Sequence, residues 1–530
     1  MKGRTGMATG TEGFAAQLAS EIWGHRFMDG QRGPEYVLEF MNVLAGTNYT
    51  LNADKYKRRK AEGFRRFVFE GDKEGSKNDI VQLEQEKRLL LYKEVGGEDT
   101  VMVIREFFRN LEIPLYDGRG NLADRSWYAK TLYPLHESLL FFELRRKKGE
   151  KVASYERNFF ARGGELYYLM LSYGTEKQPY LRKEIEARME ELLQRNKAIE
   201  KIVSKIINVL DNDEETKESD YALLKSIENV NREYPRLPIT EHVLFDRFAQ
   251  EYHQLIHLNL DIFEMFHLLV SLVGFQLIQY MYDRTKKDDN DKLIMFFDCL
   301  DGQVGQVLKL SAQSFQENEA MVKEKFEKEL KRLLTEKISA IYEANKKLEQ
   351  WQKDPDELLK VLGLKKVRTG KQRIIKALSQ AKSFEELVDD ITIIVQETVS
   401  PQLKKHYLSI IRGIIRDSGM GGFRAGTNYR YFMTDKFLEM LVLVNIPPQQ
   451  SMEFAEFLHQ IYNKYGFVIG EEHARLSGLY EKSKLNVSYF HKNEQSLREK
   501  LKSNGLLIEY SDATAMIRNP YNSVLEKVGL

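Results

Sequence analysis

A chain of 530 residues with 42% hydrophobic and 11% aromatic residues against 30% charged has material for several globular cores, which excludes a disordered or fibrous protein. Lys and Arg number 80 and Asp and Glu 79, so any nucleic-acid surface must be local and offset elsewhere. The single cysteine, Cys299, excludes an intrachain disulfide framework and a zinc site built on several thiolates, and reads as a buried core thiol in a reducing, cytoplasmic setting.

The N-terminal "MKGRTGMATGTEGFAAQLAS" lacks the long apolar core of a signal peptide. In "GPEYVLEFMNVLAG", Val37, Phe40, Met41 and Leu44 keep helical spacing, which predicts an amphipathic helix begun at Pro34 and closed by a left-handed Gly46. The peptide "AGTNY" follows at 45–49 and recurs at 425–429. Basic runs at 54–67, 144–151 and 364–376 offer phosphate contacts or solvated surface; Lys57, Arg58 and Arg59 are the candidate contacts in the first, with Phe64 and Phe67 interleaved. Asp117 or Asp124 with Glu143 would supply the carboxylates of a restriction-type nuclease, but Arg145 stands where such a site needs lysine. Further helices are predicted in "GELYYLMLSYG" and in the run beginning "YLRKEIEARMEELL". The acidic loop 211–220 and "NREYPRLPIT" (231–240), with Pro235 and Pro238, close a helical N-terminal domain over 1–230.

A central helical domain is expected over 236–352. The most apolar stretch, Leu268 to Leu277, is shorter than the roughly 20 residues a bilayer needs, so it predicts a buried core helix rather than a membrane span. His253, His257, Asp261, Glu264 and His267 share one face of a helix predicted over 251–267. Imidazoles at i and i+4 can share a metal, but the zinc-protease pattern needs Glu after the first His and Gln254 stands there; a polar face without metal is expected. Phe326, Leu330, Leu333, Ile338, Ile341 and Leu348 form one stripe, predicting a long helix packed along a partner in the manner of a short coiled coil and ended by "QKDPDE" (352–357).

A helical connector over 353–435 ends in the glycine-rich "RDSGMGGFRAGTNYRYFMTDKF". Gly419, Gly421, Gly422 and Gly426, with Arg424 and Arg430, would let backbone amides and guanidinium groups approach an anion. Thr427 occupies the place of a phosphate-binding lysine and no strand precedes the loop, so a linker or a backbone-contacting arm is expected rather than a nucleotide site. One "AGTNY" ends a helix and the other lies in this loop, which makes the repetition coincidental. Thr434 or Asp435 caps the helix "KFLEMLVLVNI".

The last unit spans 436–530. "SMEFAEFLHQIYNKYG" (451–466) and "EEHARLSGLYE" (471–481) predict two helices, and "NEQSLREKLKSNG" a third stopped at Asn504-Gly505. "LLIEY" and "AMIRN" then predict two strands joined by "SDAT", with Leu497, Leu501 and Leu506 facing inward. This pattern resembles a winged-helix module over about 450–521, which implies a third helix entering the major groove and a wing touching phosphate. On that resemblance the candidate nucleic-acid contacts are Lys492, Arg498, Lys500, Lys502 and Arg518. From 481 to 505 six Lys/Arg stand against three Glu, an excess that protein docking would tolerate equally.

The chain as a whole resembles accessory subunits of bacterial anti-phage defence systems in overall style, without a family motif. The expectation is a mainly α, multidomain, non-catalytic protein that binds DNA or recruits partners inside a complex, with an ATPase or nuclease partner supplying catalysis and with no cofactor, metal or membrane. The rivals are a metal-dependent nuclease or hydrolase, using the histidine stripe or Asp117 and Glu143, and a transcriptional regulator, for which no small-ligand domain is evident.

Overall fold

The computed structural model describes residues 11–25, 27, 31–58, 62–71, 81–116, 121–122, 130–140, 144–145, 154–155, 162–210, 221–223, 235–288, 291–345, 348–361, 370–403, 407–423, 428–510 and 514–525. The described residues are mainly helical, with short strands. The N-terminal part comprises α1 (Thr11–Trp23), α2 (Gly33–Gly46), β1 (Lys55–Lys57), α3 (Glu62–Phe69), α4 (Gln85–Val95), α5 (Glu98–Arg109), β2 (Leu144–Arg145), β3 (Ser154–Tyr155), α6 (Gly163–Gly174), α7 (Pro179–Gln194), α8 (Lys197–Leu210) and β4 (Tyr221–Leu223). β1 pairs antiparallel with β4, and β2 with β3.

The helix predicted from Pro34 forms as α2, but its ending differs. Gly46 remains helical and the left-handed positions are Asn48 and Tyr49, at φ 52° and 56°. The Tyr49 hydroxyl donates to Glu137 at 2.7 Å, a tertiary contact that helps hold this uncommon backbone.

The centre comprises α9 (Val243–Ile256), α10 (Ile262–Asp283), β5 (Met295–Phe296), α11 (Gly305–Asn345), α12 (Leu348–Lys353), α13 (Pro355–Val361), α14 (Lys371–Gln380), α15 (Phe384–Leu403) and α16 (Ser409–Ser418). The apolar stretch around Leu268 lies inside α10, 22 residues long and apolar enough to cross a membrane; 78% of its most apolar window is buried within the fold. Asp261 caps it, accepting from the amides of Phe263 and Glu264 at 2.8 and 3.0 Å. Its interior Gln276 accepts from Tyr167 at 2.6 Å and donates to Glu251 at 2.8 Å, which answers the cost of a buried amide. The long charged helix forms as α11, 41 residues, packed against α15: Phe326, Leu330 and Leu334 share a core with Leu387 and Ile391.

The C-terminal part comprises β6 (Gly421–Gly422), β7 (Arg430–Tyr431), α17 (Asp435–Asn445), β8 (Ser451–Glu453), α18 (Phe454–Tyr465), β9 (Phe467–Val468), α19 (Glu471–Leu476), α20 (Leu479–Ser483), α21 (Val487–Ser503), β10 (Leu507–Glu509) and β11 (Ala515–Arg518). The Thr434 hydroxyl caps α17 by accepting from Phe437 at 3.3 Å. The hairpin β10–β11 forms as expected, and Leu497, Leu501 and Leu506 are buried. Residues 451–453, expected to begin a helix, form instead a third strand, giving an antiparallel sheet in the order β10-β11-β8. The short β9 leaves this sheet and pairs parallel with β5.

One hydrophobic core runs from Leu18 in α1 to Ile517 in β11. A second gathers Phe64, Phe67, Val101, Phe108 and Ile206 from α3, α5 and α8. A third joins Phe296 and Val307 to Tyr462, Val468 and Phe490, seating α18 to α21 on the start of α11.

Candidate nucleic-acid interface

α21 is positioned by one buried polar residue as much as by its leucines. Asn493 is fully buried; its Oδ1 accepts from the Cys299 amide at 2.8 Å, and its Nδ2 donates to the carbonyls of Phe297 and Ile469 at 2.8 and 3.0 Å. Ser496 adds a bond to the Cys299 carbonyl at 2.8 Å. The side-chain amide of Asn493 is therefore engaged at both its oxygen and its nitrogen, which fixes which face of α21 turns inward. Cys299 lies against this anchor, fully buried, and burial pushes its thiol up to about 12. It is an inert core thiol.

The candidate cations are disposed unequally. Lys500 donates to Asp301 at 2.6 Å, and Lys502 to Glu509 in β10 at 2.6 Å. The latter bond lifts the Lys502 ammonium above its usual range and holds the Glu509 carboxyl below its own. Arg498 lies over the Phe454 ring, its guanidinium carbon 4.7 Å from the ring centre. Arg518 donates to Gln449 at 3.3 Å. Lys492 is exposed and has no ion-pair partner among the described residues, and the same holds for Lys482 and Lys484 just before α21. His491 and Gln495 on the exposed side bond Glu471 at 2.8 Å and Glu499 at 3.2 Å. Lys482 and Lys484 before α21 and Lys492 in its first half are therefore exposed lysines without an ion-pair partner among the described residues.

The remaining candidates lie elsewhere. Arg430 is 2% exposed and its guanidinium meets the fully buried Asp298 at 2.9 Å, so it is an interior ion pair rather than a phosphate contact. Arg58 pairs with Glu39 and, at 3.0 Å, with Glu165, both fully buried; Tyr56 donates to Glu165 at 2.6 Å. Lys57 is half-buried in β1, while Arg59 and Arg424 lie outside the described residues. Phe64 and Phe67, read as interleaving with basic charge, are core residues. Asp117, Asp124 and Glu143 also lie outside the described residues.

The histidine stripe does not form. The predicted helix breaks after His257, so His253 and His257 end α9 while Asp261 caps α10. His253 bonds Glu184 at 2.8 Å, the His257 Nδ1 is 2.8 Å from the His253 carbonyl, and His267 bonds the Tyr133 hydroxyl at 3.1 Å. Each imidazole thus has its own hydrogen-bond neighbour, and the rings of His253 and His257 stand 4.1 Å apart between centres. A polar cleft of about 340 Å³ lies between α9, α10 and the end of α18, lined by Arg247, Lys286, Lys292 and Lys464. Its cations are already engaged: Arg247 on the Lys464 carbonyl at 2.6 Å, Lys286 on Asp283 at 2.8 Å, Lys464 on Asn445 at 3.0 Å, and Lys292 over the Tyr462 ring at 3.4 Å.

Sequence reasoning missed Asn493, because a lone asparagine inside a charged helix reads as surface. It also missed β8, because "SME" continues the helical spacing of "FAEFLHQIY". Compared with protein-family models, with curated proteins and with solved structures, the chain finds no match.

Proposed function

We propose that the protein is a non-catalytic, DNA-associated subunit of a cytoplasmic multiprotein complex, with α18 to α21 and the sheet β10-β11-β8 acting as a winged-helix module. The observation that carries this reading is that Lys482 and Lys484, just before α21, and Lys492, in its first half, are exposed with no ion-pair partner among the described residues. In helix-turn-helix docking the N-terminal end of the recognition helix meets the groove. The hairpin β10–β11 directly after α21 supports it too, since the resemblance rests on a third helix running into such a hairpin.

Recruitment of a partner is supported by a second feature. The hairpin α4–α5 buries little beyond Leu91, Val101 and Phe108, while Leu89, Leu90, Met102, Val103 and Phe107 are 47–70% exposed. Apolar residues clustered on one exposed unit mark a protein-interaction surface. The anti-phage setting rests on resemblance in overall style; an ATPase or nuclease would be the partner there.

The test is fluorescence anisotropy of a labelled DNA duplex across a salt series. Reversal of Lys482, Lys484 and Lys492 to Glu should weaken binding to all sequences alike and lower the salt slope by about one unit for each phosphate that is no longer neutralised. Absence of wild-type binding at low salt, or a slope unmoved by the triple reversal, would assign the module to protein docking.

A further inference from the structure

α18 and α19 bring together three side chains that sequence spacing did not connect. His459 on α18 and Glu472 and His473 on α19 each offer one ligand atom, and these atoms all lie within 4.8 Å of one another. The two imidazole rings stand 5.8 Å apart between centres. His459 and Glu472 are exposed, whereas His473 is 2% exposed. The His473 Nε2 is buried with no hydrogen-bond partner, although buried imidazole nitrogens are ordinarily satisfied.

The backbone between the two helices is held rigidly. Gly466 follows α18 at φ 73°, and a Cβ there would stand 1.6 Å from the Leu293 carbonyl oxygen. β9 is then clamped to β5, and at Gly470 a Cβ would stand 2.2 Å from the Glu494 carboxylate. The close backbone approach at Gly466 and the pairing of β9 with β5 thus restrain the link between the two ligand helices before any ion arrives, which lowers the cost of assembling a site.

We propose that His459, Glu472 and His473 bind one divalent transition-metal ion of the zinc class, clipping α18 to α19, with water completing the shell on the exposed side. Two imidazoles and one carboxylate suit zinc; magnesium and calcium prefer all-oxygen shells, and the absence of thiolate disfavours the softest ions. The charges facing the site are mixed. Lys292 opposes a second cation, but its ammonium lies over the Tyr462 ring. The neighbouring Glu471 is committed to Arg475 and His491 and is not counted as a ligand. This inference stands apart from the DNA reading, and it reverses the expectation of a metal-free protein.

The experiment uses the full chain stripped with chelator and titrated with cobalt(II), read by its visible absorption, with zinc as competitor. One equivalent should bind. His459→Ala should weaken binding by ~10- to 100-fold or more, as should Glu472→Gln. His459 is exposed, so its variant should unfold at the same temperature as the metal-free wild type, and a given zinc concentration should raise that temperature less in the variant than in the wild type. His253→Ala with His257→Ala should leave cobalt binding unchanged. No stoichiometric binding, or an affinity unchanged in His459→Ala, would overturn the proposal, as would binding abolished in the His253/His257 variant and kept in His459→Ala.

Discussion

The guanidinium carbon of Arg498 stands 4.7 Å from the centre of the Phe454 ring, so a cation that the sequence offers to phosphate is laid across the first helix of its own module. Such contacts contribute about 0.5 to 2 kcal/mol. Arg498→Ala should lower stability by that amount in urea unfolding and leave the salt slope of DNA binding unmoved. A lower slope with unchanged stability would return Arg498 to the interface.

Arg430 and Asp298 make the opposite kind of prediction. Removing one partner of a buried pair leaves a charge without compensation, and Arg430→Ala should cost about 3 to 5 kcal/mol. A variant as stable as the wild type would show that the interior readily rehydrates the orphaned carboxylate.

Leu497 and Leu501 are fully buried beneath α21. Truncating either to alanine should cost about 2 to 5 kcal/mol, depending on how far the surroundings collapse. Since α21 is also tied through Asn493 to the strand and loop at 296–299, the loss should appear in the unfolding of the whole chain. A separate early transition would show the C-terminal unit unfolding on its own.

The α4–α5 hairpin predicts behaviour without a stability change. Leu90 and Val103 are 54% and 70% exposed, so replacing both with lysine should shift stability by only about 0.5 kcal/mol each. Capture of partners from the native host should disappear. Unchanged partner recovery, checked by mass spectrometry, would remove this face from the recruitment reading.

His257 sets a pH dependence. Burial holds its imidazole down at about 4, against 6.5 ordinarily; the His253 carbonyl and Glu184 pull upward, and His253 and Arg188 push further down. Between pH 6.5 and 4 the unfolded chain takes up a proton that the folded chain refuses. The contribution is therefore intact above pH 6.5 and lost as pH falls across that window. His257→Gln should flatten the dependence of the urea midpoint there; a dependence as steep as in the wild type would place the effect in other groups.

Helical periodicity made most of this fold legible. Leu497 and Leu501 on one face, Gly505 after them and two short apolar runs were enough to locate α21 and its hairpin, because those signals are local. The site was less legible for a physical reason. Whether Lys500 is free for phosphate depends on Asp301, which is 199 residues away in sequence, and Arg430 is answered by Asp298 across 132. His459 and His473 lie close in sequence, but they sit on two different helices separated by the turn at Gly466 and by β9, so no single helical spacing connects them. The break after His257 was also hidden, since "HLNLDIF" keeps apolar spacing through a turn and a new cap.

The cover over α10 has a consequence for synthesis. This helix is finished at residue 283, but α16 and α17, which close over it, end at residues 418 and 445. At ribosomal speeds of about 5 to 20 residues per second, a segment with the apolar character of a bilayer span waits on the order of ten seconds for its lid. The nascent chain is thus a natural client for a chaperone or for mistaken membrane targeting. A chain cut short after α15 would be released with the side of α10 that faces α16 and α17 bare, and would be expected to aggregate rather than persist as a smaller folded protein.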